Sequence, residues 1–106
     1  MNNNKDPLRI VITGGSSGIG EATAFEMAKS GHRFYLTGRD EEKLQKVVDE
    51  LHSLGCEAYF GIGDVFDEKI AAQMFNEIKQ KLGGVDVLLA NAGVGHFDNL
   101  EDLSLD

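Results

Sequence analysis

The residues best suited to chemistry are Thr13-Gly14-Gly15-Ser16-Ser17-Gly18-Ile19-Gly20, a glycine-rich run directly after the apolar stretch Leu8–Thr13. Placed between a strand and a helix, such a run has a defined physical use. Gly14 permits the tight reversal, Gly18 lets a pyrophosphate approach the backbone, and Gly20 lets helix and sheet pack closely. Unpaired N–H groups and the positive end of the helix dipole then favour an anion at this point. The competing reading is a glycine turn with no ligand. A strand before it, a helix after it and a matching strand-helix unit downstream favour a nucleotide.

The end of the second strand reads the ribose. An acid there would hydrogen-bond the 2′-hydroxyl of NAD and repel a 2′-phosphate. This chain has Gly38 instead, followed by Arg39, whose planar guanidinium can clamp a phosphate through two parallel hydrogen bonds. Thr37 can add a hydroxyl. NADP is therefore expected in preference to NAD. Two features weigh against it: Arg39 could be an ordinary solvated charge near Asp40 and Glu42, and Ser17 carries no positive charge.

Other chemistry is sparse. Cys56 is the only cysteine, which excludes an internal disulfide or a cysteine-based metal site and suits a small packing residue. His32, His52 and His96 have no metal-ligand spacing, and the first two are expected on the surface near helix ends. We assign no metal site and no catalytic residue.

The elements that must position the glycine run follow from periodicity. Leu8–Thr13, Arg33–Thr37, Glu57–Ile62 and Val85–Asn91 read as strands. Three amphipathic helices lie between them, most clearly through Leu44, Val47, Val48, Leu51 and Leu54, then through Ile70, Met74, Phe75, Ile78 and Leu82. Gly31, Gly55 and Gly83-Gly84 mark their ends, and Asp40 and Asp67 are expected N-caps. Strict alternation implies parallel strands joined by right-handed crossovers. The expected fold is α/β, a Rossmann-like doubly wound sheet of order 3-2-1-4. Its first two helices lie on one face and the third on the other. Residues 1–106 are read as the truncated N-terminal portion of one NAD(P)-binding domain. With no further strand, Val85 to Ala90 would form an apolar edge, leaving Val87 and Leu89 partly uncovered on the face of the third helix.

Composition narrows the class. The chain has 106 residues, 42% hydrophobic and 26% charged, which suits a globular protein. Ten Lys+Arg against eighteen Asp+Glu give a net charge of -8, which opposes a nucleic-acid surface. No apolar run suggests a membrane span, and the polar stretch from Met1 to Arg9 is no secretory signal, so a cytoplasmic location is expected.

The glycine run has the form TGxxxGxG, which resembles that of the short-chain dehydrogenase/reductase family. The resemblance continues through Asp64-Val65 after the third strand and Asn91-Ala92-Gly93 after the fourth. It implies that Gly14, Ser16, Ser17, Gly18, Ile19, Gly20, Thr37, Gly38, Arg39, Asp64, Val65, Asn91, Ala92 and Gly93 contact the cofactor, with Asp64 near the adenine. From the residues alone, Asp64 could equally end its strand by turning onto its own backbone, and Asn91 could tie strand ends together. The family exchanges hydride between NADP(H) or NAD(H) and an alcohol or carbonyl substrate, usually as a homo-oligomer, using a tyrosine with a lysine four residues later. Here Tyr35 and Tyr59 are followed at that distance by Arg39 and Gly63, so residues 1–106 alone are expected to be inactive. The alternative is a nucleotide-binding or protein-interaction module without turnover.

Overall fold

The computed structural model describes residues 7–90 as four strands and three helices: β1 Arg9–Thr13, α1 Gly18–Ala28, β2 Arg33–Gly38, α2 Glu41–Ser53, β3 Ala58–Ile62, α3 Glu68–Leu82 and β4 Val87–Ala90. The sheet is parallel throughout, in the order β3-β2-β1-β4. In register, Val11 lies beside Tyr35 on one side and Leu88 on the other. Asn91, Ala92, Gly93 and His96 lie outside the described residues.

Alternation along the strands builds two cores. Ile10, Ile12, Phe34, Leu36 and Ala58 face α1 and α2, where Leu44, Val47, Val48 and Leu51 meet them. Val11 and Tyr35 face the opposite way, onto Ile78 and Leu82 of α3. This is the distribution of helices that right-handed crossovers require. Each large aliphatic side chain so buried contributes about 1.5–3 kcal/mol.

The helices differ in how they reach the sheet. α2 and α3 carry stripes of large side chains, as their periodicity predicts. α1 instead buries Gly20, Ala24 and Ala28. Its inward face is a strip of small residues four apart, not the ordinary amphipathic stripe expected from sequence, and it holds the start of α1 close to the glycine loop. Asp40 and Asp67 cap α2 and α3 as expected, accepting from Lys43 N and from Lys69 N and Ile70 N. Gly83 ends α3 in the left-handed conformation, φ 84°.

Two arginines pin the end of the sheet opposite the glycine loop. Arg9 makes a bidentate pair with Asp86 through Nε and Nη2, at 3.0 and 2.9 Å. Arg33 pairs with Glu57 and also donates to the carbonyls of Lys81 and Leu82, closing the C-terminus of α3.

Several expectations shift. β4 begins at Val87, because Asp86 is engaged by Arg9 through both its backbone and its carboxylate. Val87 and Leu89 are partly buried but pack on the α1/α2 face. Leu88, 43% exposed, shares the α3 face with Val11. For Val87 and Leu89 this is the opposite of the face expected from sequence, because a one-residue change of parity exchanges the two sides of a strand. His32 is half-buried, with its Nδ1 accepting from Leu8 N at 3.1 Å. Cys56 is buried as expected, and its thiol faces the Ala28 carbonyl.

Candidate functional site

The C-terminal ends of β1, β2 and β3 open onto a cleft of about 580 Å³, lined by Gly14, Ser16, Ser17, Thr37, Gly38, Arg39, Asp40, Lys43, Gly63, Asp64, Val65 and Phe66. Three loops make it, and each is tied to its neighbour by a backbone hydrogen bond. Gly15 N donates to Thr37 O at 2.8 Å, and Gly63 N donates to Gly38 O at 2.9 Å.

The glycine loop is organised by Ser17, the N-cap of α1. Its hydroxyl donates to Gly14 O at 2.8 Å and accepts from Gly20 N at 3.0 Å. Gly14 turns at φ 70°, a conformation that disfavours a side chain. A Cβ on Gly20 would collide with the Gly14 carbonyl oxygen and sit 3.0 Å from Gly15 Cα. Gly20 therefore packs against the loop itself and not, as expected, against the sheet. The sheet contact belongs to Gly15, whose Cβ would lie 2.8 Å from Leu36 Cβ. Gly18 is the opposite case, since a Cβ there would meet nothing within 4 Å.

This arrangement leaves donors without acceptors. Ser17 satisfies the N–H of Gly20 and of Glu21, by side chain and by carbonyl, whereas the N–H groups of Gly18 and Ile19 find no acceptor among the described residues. Two free amides, an open Cβ position and the positive end of an eleven-residue helix meet at one point. Such a combination of donors, open space and dipole is chemically suited to an anion.

The second wall carries charge. Arg39 follows β2, its side chain 79% exposed, and its Nη2 donates to Asp64 Oδ2 at 3.2 Å. The other oxygen, Asp64 Oδ1, accepts from Phe66 N at 2.9 Å, a turn of the side chain onto its own backbone. Asp64 thus ends its strand and faces the cleft at once. Thr37 is 2% exposed, and its carbonyl anchors Gly15.

Of the residues expected from sequence, the cleft gathers Gly14, Ser16, Ser17, Thr37, Gly38, Arg39, Asp64 and Val65. Gly18 and Ile19 stand exposed at the start of α1, Gly20 is buried in the loop, and Asn91, Ala92 and Gly93 fall outside the described residues. Asp40, Lys43, Gly63 and Phe66 line the cleft and were missed as site residues. The signal for Lys43 was present: it lies in the first turn after the Asp40 cap, which places it at the strand end beside Arg39. Both tyrosines lie elsewhere. Tyr35 is buried and donates to Glu77 Oε1 at 2.7 Å, and burial, then Glu77, raises its pKa well above the ordinary value. Tyr59 donates to Glu57, which likewise raises its pKa. No cluster of three or more His, Cys, Asp or Glu suited to a metal occurs among the described residues.

Comparison with known proteins agrees with this fold. Residues 9–106 match a family described as short chain dehydrogenase. The chain is 37% identical to a glucose 1-dehydrogenase of Gluconobacter oxydans over 99 residues, which covers 92% of this chain and 37% of that protein. It is also 37% identical to a 3beta-hydroxysteroid dehydrogenase of Mediterraneibacter gnavus, over 95% of this chain and 37% of that protein. Among solved structures, an L-sorbose reductase from Gluconobacter frateurii complexed with NADPH and L-sorbose superposes with a TM-score of 0.78 at 31% identity, covering 83% of this chain and 34% of that one. An NAD+-bound xylitol dehydrogenase superposes at 0.73 with 27% identity, covering 76% and 31%. The chain spans about a third of the length of the curated relatives it matches.

Proposed function

Because the chain belongs to the short chain dehydrogenase family, we propose that residues 1–106 form the NADP-binding portion of an oxidoreductase that exchanges hydride between NADP(H) and an alcohol or carbonyl substrate. The observation that carries this reading is the start of α1, where the free amides of Gly18 and Ile19 and the open space over Gly18 would receive the pyrophosphate. Gly38 and Arg39 would receive the 2′-phosphate. Gly38 brings no competing acid, and Arg39 is an exposed cation on the cleft wall. Asp64 and Val65 would border the adenine. Asn91, Ala92 and Gly93 would continue the site by family resemblance.

When bound, the nicotinamide accepts or supplies the hydride; this portion binds and orients the nucleotide. Proton exchange with the substrate oxygen needs an acid-base group near the nicotinamide. Tyr35 and Tyr59 are committed to Glu77 and Glu57 away from the cleft. Residues 1–106 are accordingly proposed to bind cofactor without turnover, in a cytoplasmic and homo-oligomeric whole.

The test is titration of the full-length protein with NADPH and NADH. Tighter binding of NADPH supports the assignment, equal curves defeat the NADP preference, and absence of binding to either defeats the site.

A further inference from the structure

Arg39 already holds an anion. Its Nη2 lies 3.2 Å from Asp64 Oδ2, at the position where the reading above places the 2′-phosphate. The pairing follows from the sheet, since β2 and β3 run parallel with Gly38 beside Ile62, and the bond from Gly63 N to Gly38 O carries the register one step beyond the strands. Arg39 and Asp64 are the next charged residues beyond the two strands. Asp64 does not depend on Arg39 for its place, because its Oδ1 is fixed by Phe66 N and its backbone carbonyl accepts from Asp67 N at 3.0 Å. The carboxylate is a stationary charge, and the guanidinium is the movable partner.

We propose that Asp64 is a specificity-determining residue acting through Arg39: its carboxylate competes with the cofactor's 2′-phosphate for the guanidinium, and so limits how strongly this site prefers a 2′-phosphorylated nucleotide. The inference rests on the function proposed above and adds a positioning role for Asp64 that is separate from any adenine contact. A nucleotide with a 2′-phosphate shares the guanidinium with Asp64 or draws it away, and in either case its own charge stands near the carboxylate. A nucleotide with a free 2′-hydroxyl leaves the pair intact. The preference is thus the difference between two anions competing for one cation, and removing the fixed one raises it.

Asp64→Asn separates the two roles. The amide oxygen can still accept from Phe66 N, so the turn survives while the charge is lost. The probes are 2′,5′-ADP and 5′-ADP, titrated calorimetrically into the full-length protein, and the readout is the ratio of their dissociation constants. Because an exposed ion pair contributes modestly, Asp64→Asn is expected to raise the preference for 2′,5′-ADP by about two- to fivefold. A lost adenine contact weakens both probes alike and leaves the ratio unmoved. In the Arg39→Ala background, Asp64→Asn is expected to have a smaller effect on the ratio, which a merely structural role would not produce. An unchanged or lowered ratio in Asp64→Asn overturns the proposal, as does the same gain with and without Arg39. Should Arg39→Ala leave the wild-type ratio untouched, or neither probe bind, the site assignment itself falls and the proposal falls with it.

Discussion

Gly18 and Gly20 sit two residues apart in one motif and answer to different physics. A Cβ at Gly18 enters open space, so Gly18→Val should leave the melting temperature nearly unchanged while abolishing nucleotide binding, because the branched side chain fills the volume above the free amides. At Gly20 the same substitution drives a side chain into the Gly14 carbonyl and the Gly15 backbone. Gly20→Val should destabilise the fold by about 1–3 kcal/mol or more, read as a lowered denaturation midpoint. Equal melting temperatures for the two variants would show that Gly20 does not pack against the Gly14 carbonyl. Arg39→Ala should cut the preference for NADPH over NADH by roughly tenfold, about 1.4 kcal/mol, through loss of a charge-assisted contact. Gly38→Asp should shift the preference toward NADH. Its Cβ lies 3.0 Å from Ser16 Oγ, so the serine must give slightly for the acid to enter.

Among the elements, β1 and β4 are joined by a pair that responds to acid. Arg9 holds the Asp86 carboxyl down to about 2, first by the side-chain hydrogen bond and then by its own backbone N–H, against 3.8 ordinarily. A depressed carboxylate stabilises the fold above its unfolded value, and that contribution is lost as pH falls from about 4 through about 2. Asp86→Asn should therefore lower the melting temperature near neutral pH and narrow the gap from wild type between pH 4 and 2; a constant gap would contradict the assignment. How much of these elements could be read beforehand depended on the range of the signal. Strands, caps and the glycine stops at Gly31, Gly55 and Gly83 are local properties of the chain, and they were legible. The small-residue face of α1 escaped because its close approach is an interaction with the loop. The Arg39–Asp64 pair escaped because only the β2–β3 register brings those two residues together. Lys43 was readable from its cap, since the first turn of α2 starts at the cleft.

For the whole molecule, the face of the sheet under α3 is covered unevenly. Ile78 and Leu82 close it over β1 and β2, whereas Phe75 on α3 and Leu88 on β4 remain 52% and 43% exposed. Among the described residues the outer edge of β4 pairs with no strand. A polypeptide made to contain residues 1–106 alone should associate as concentration rises, through this edge and the apolar side chains beside it. Light scattering over a dilution series tests this, and a stable monomer at high concentration would mean that the edge is covered from within. The end of the sheet where the strands begin is of another kind. There Arg9–Asp86 ties β1 to the start of β4, and Arg33 ties β2 to Glu57 before β3 and to the last turn of α3. At the nucleotide end the exposed Arg39–Asp64 pair joins the loops after β2 and β3. The ion pairs thus grade from bidentate and partly buried where the strands begin to single and exposed at the nucleotide end. Amide hydrogen exchange should follow that gradient, with Phe34 and Asp86 exchanging only through global unfolding, and Gly63 and Phe66 through small local openings. A nucleotide seated in the cleft should slow the second pair and leave the first untouched.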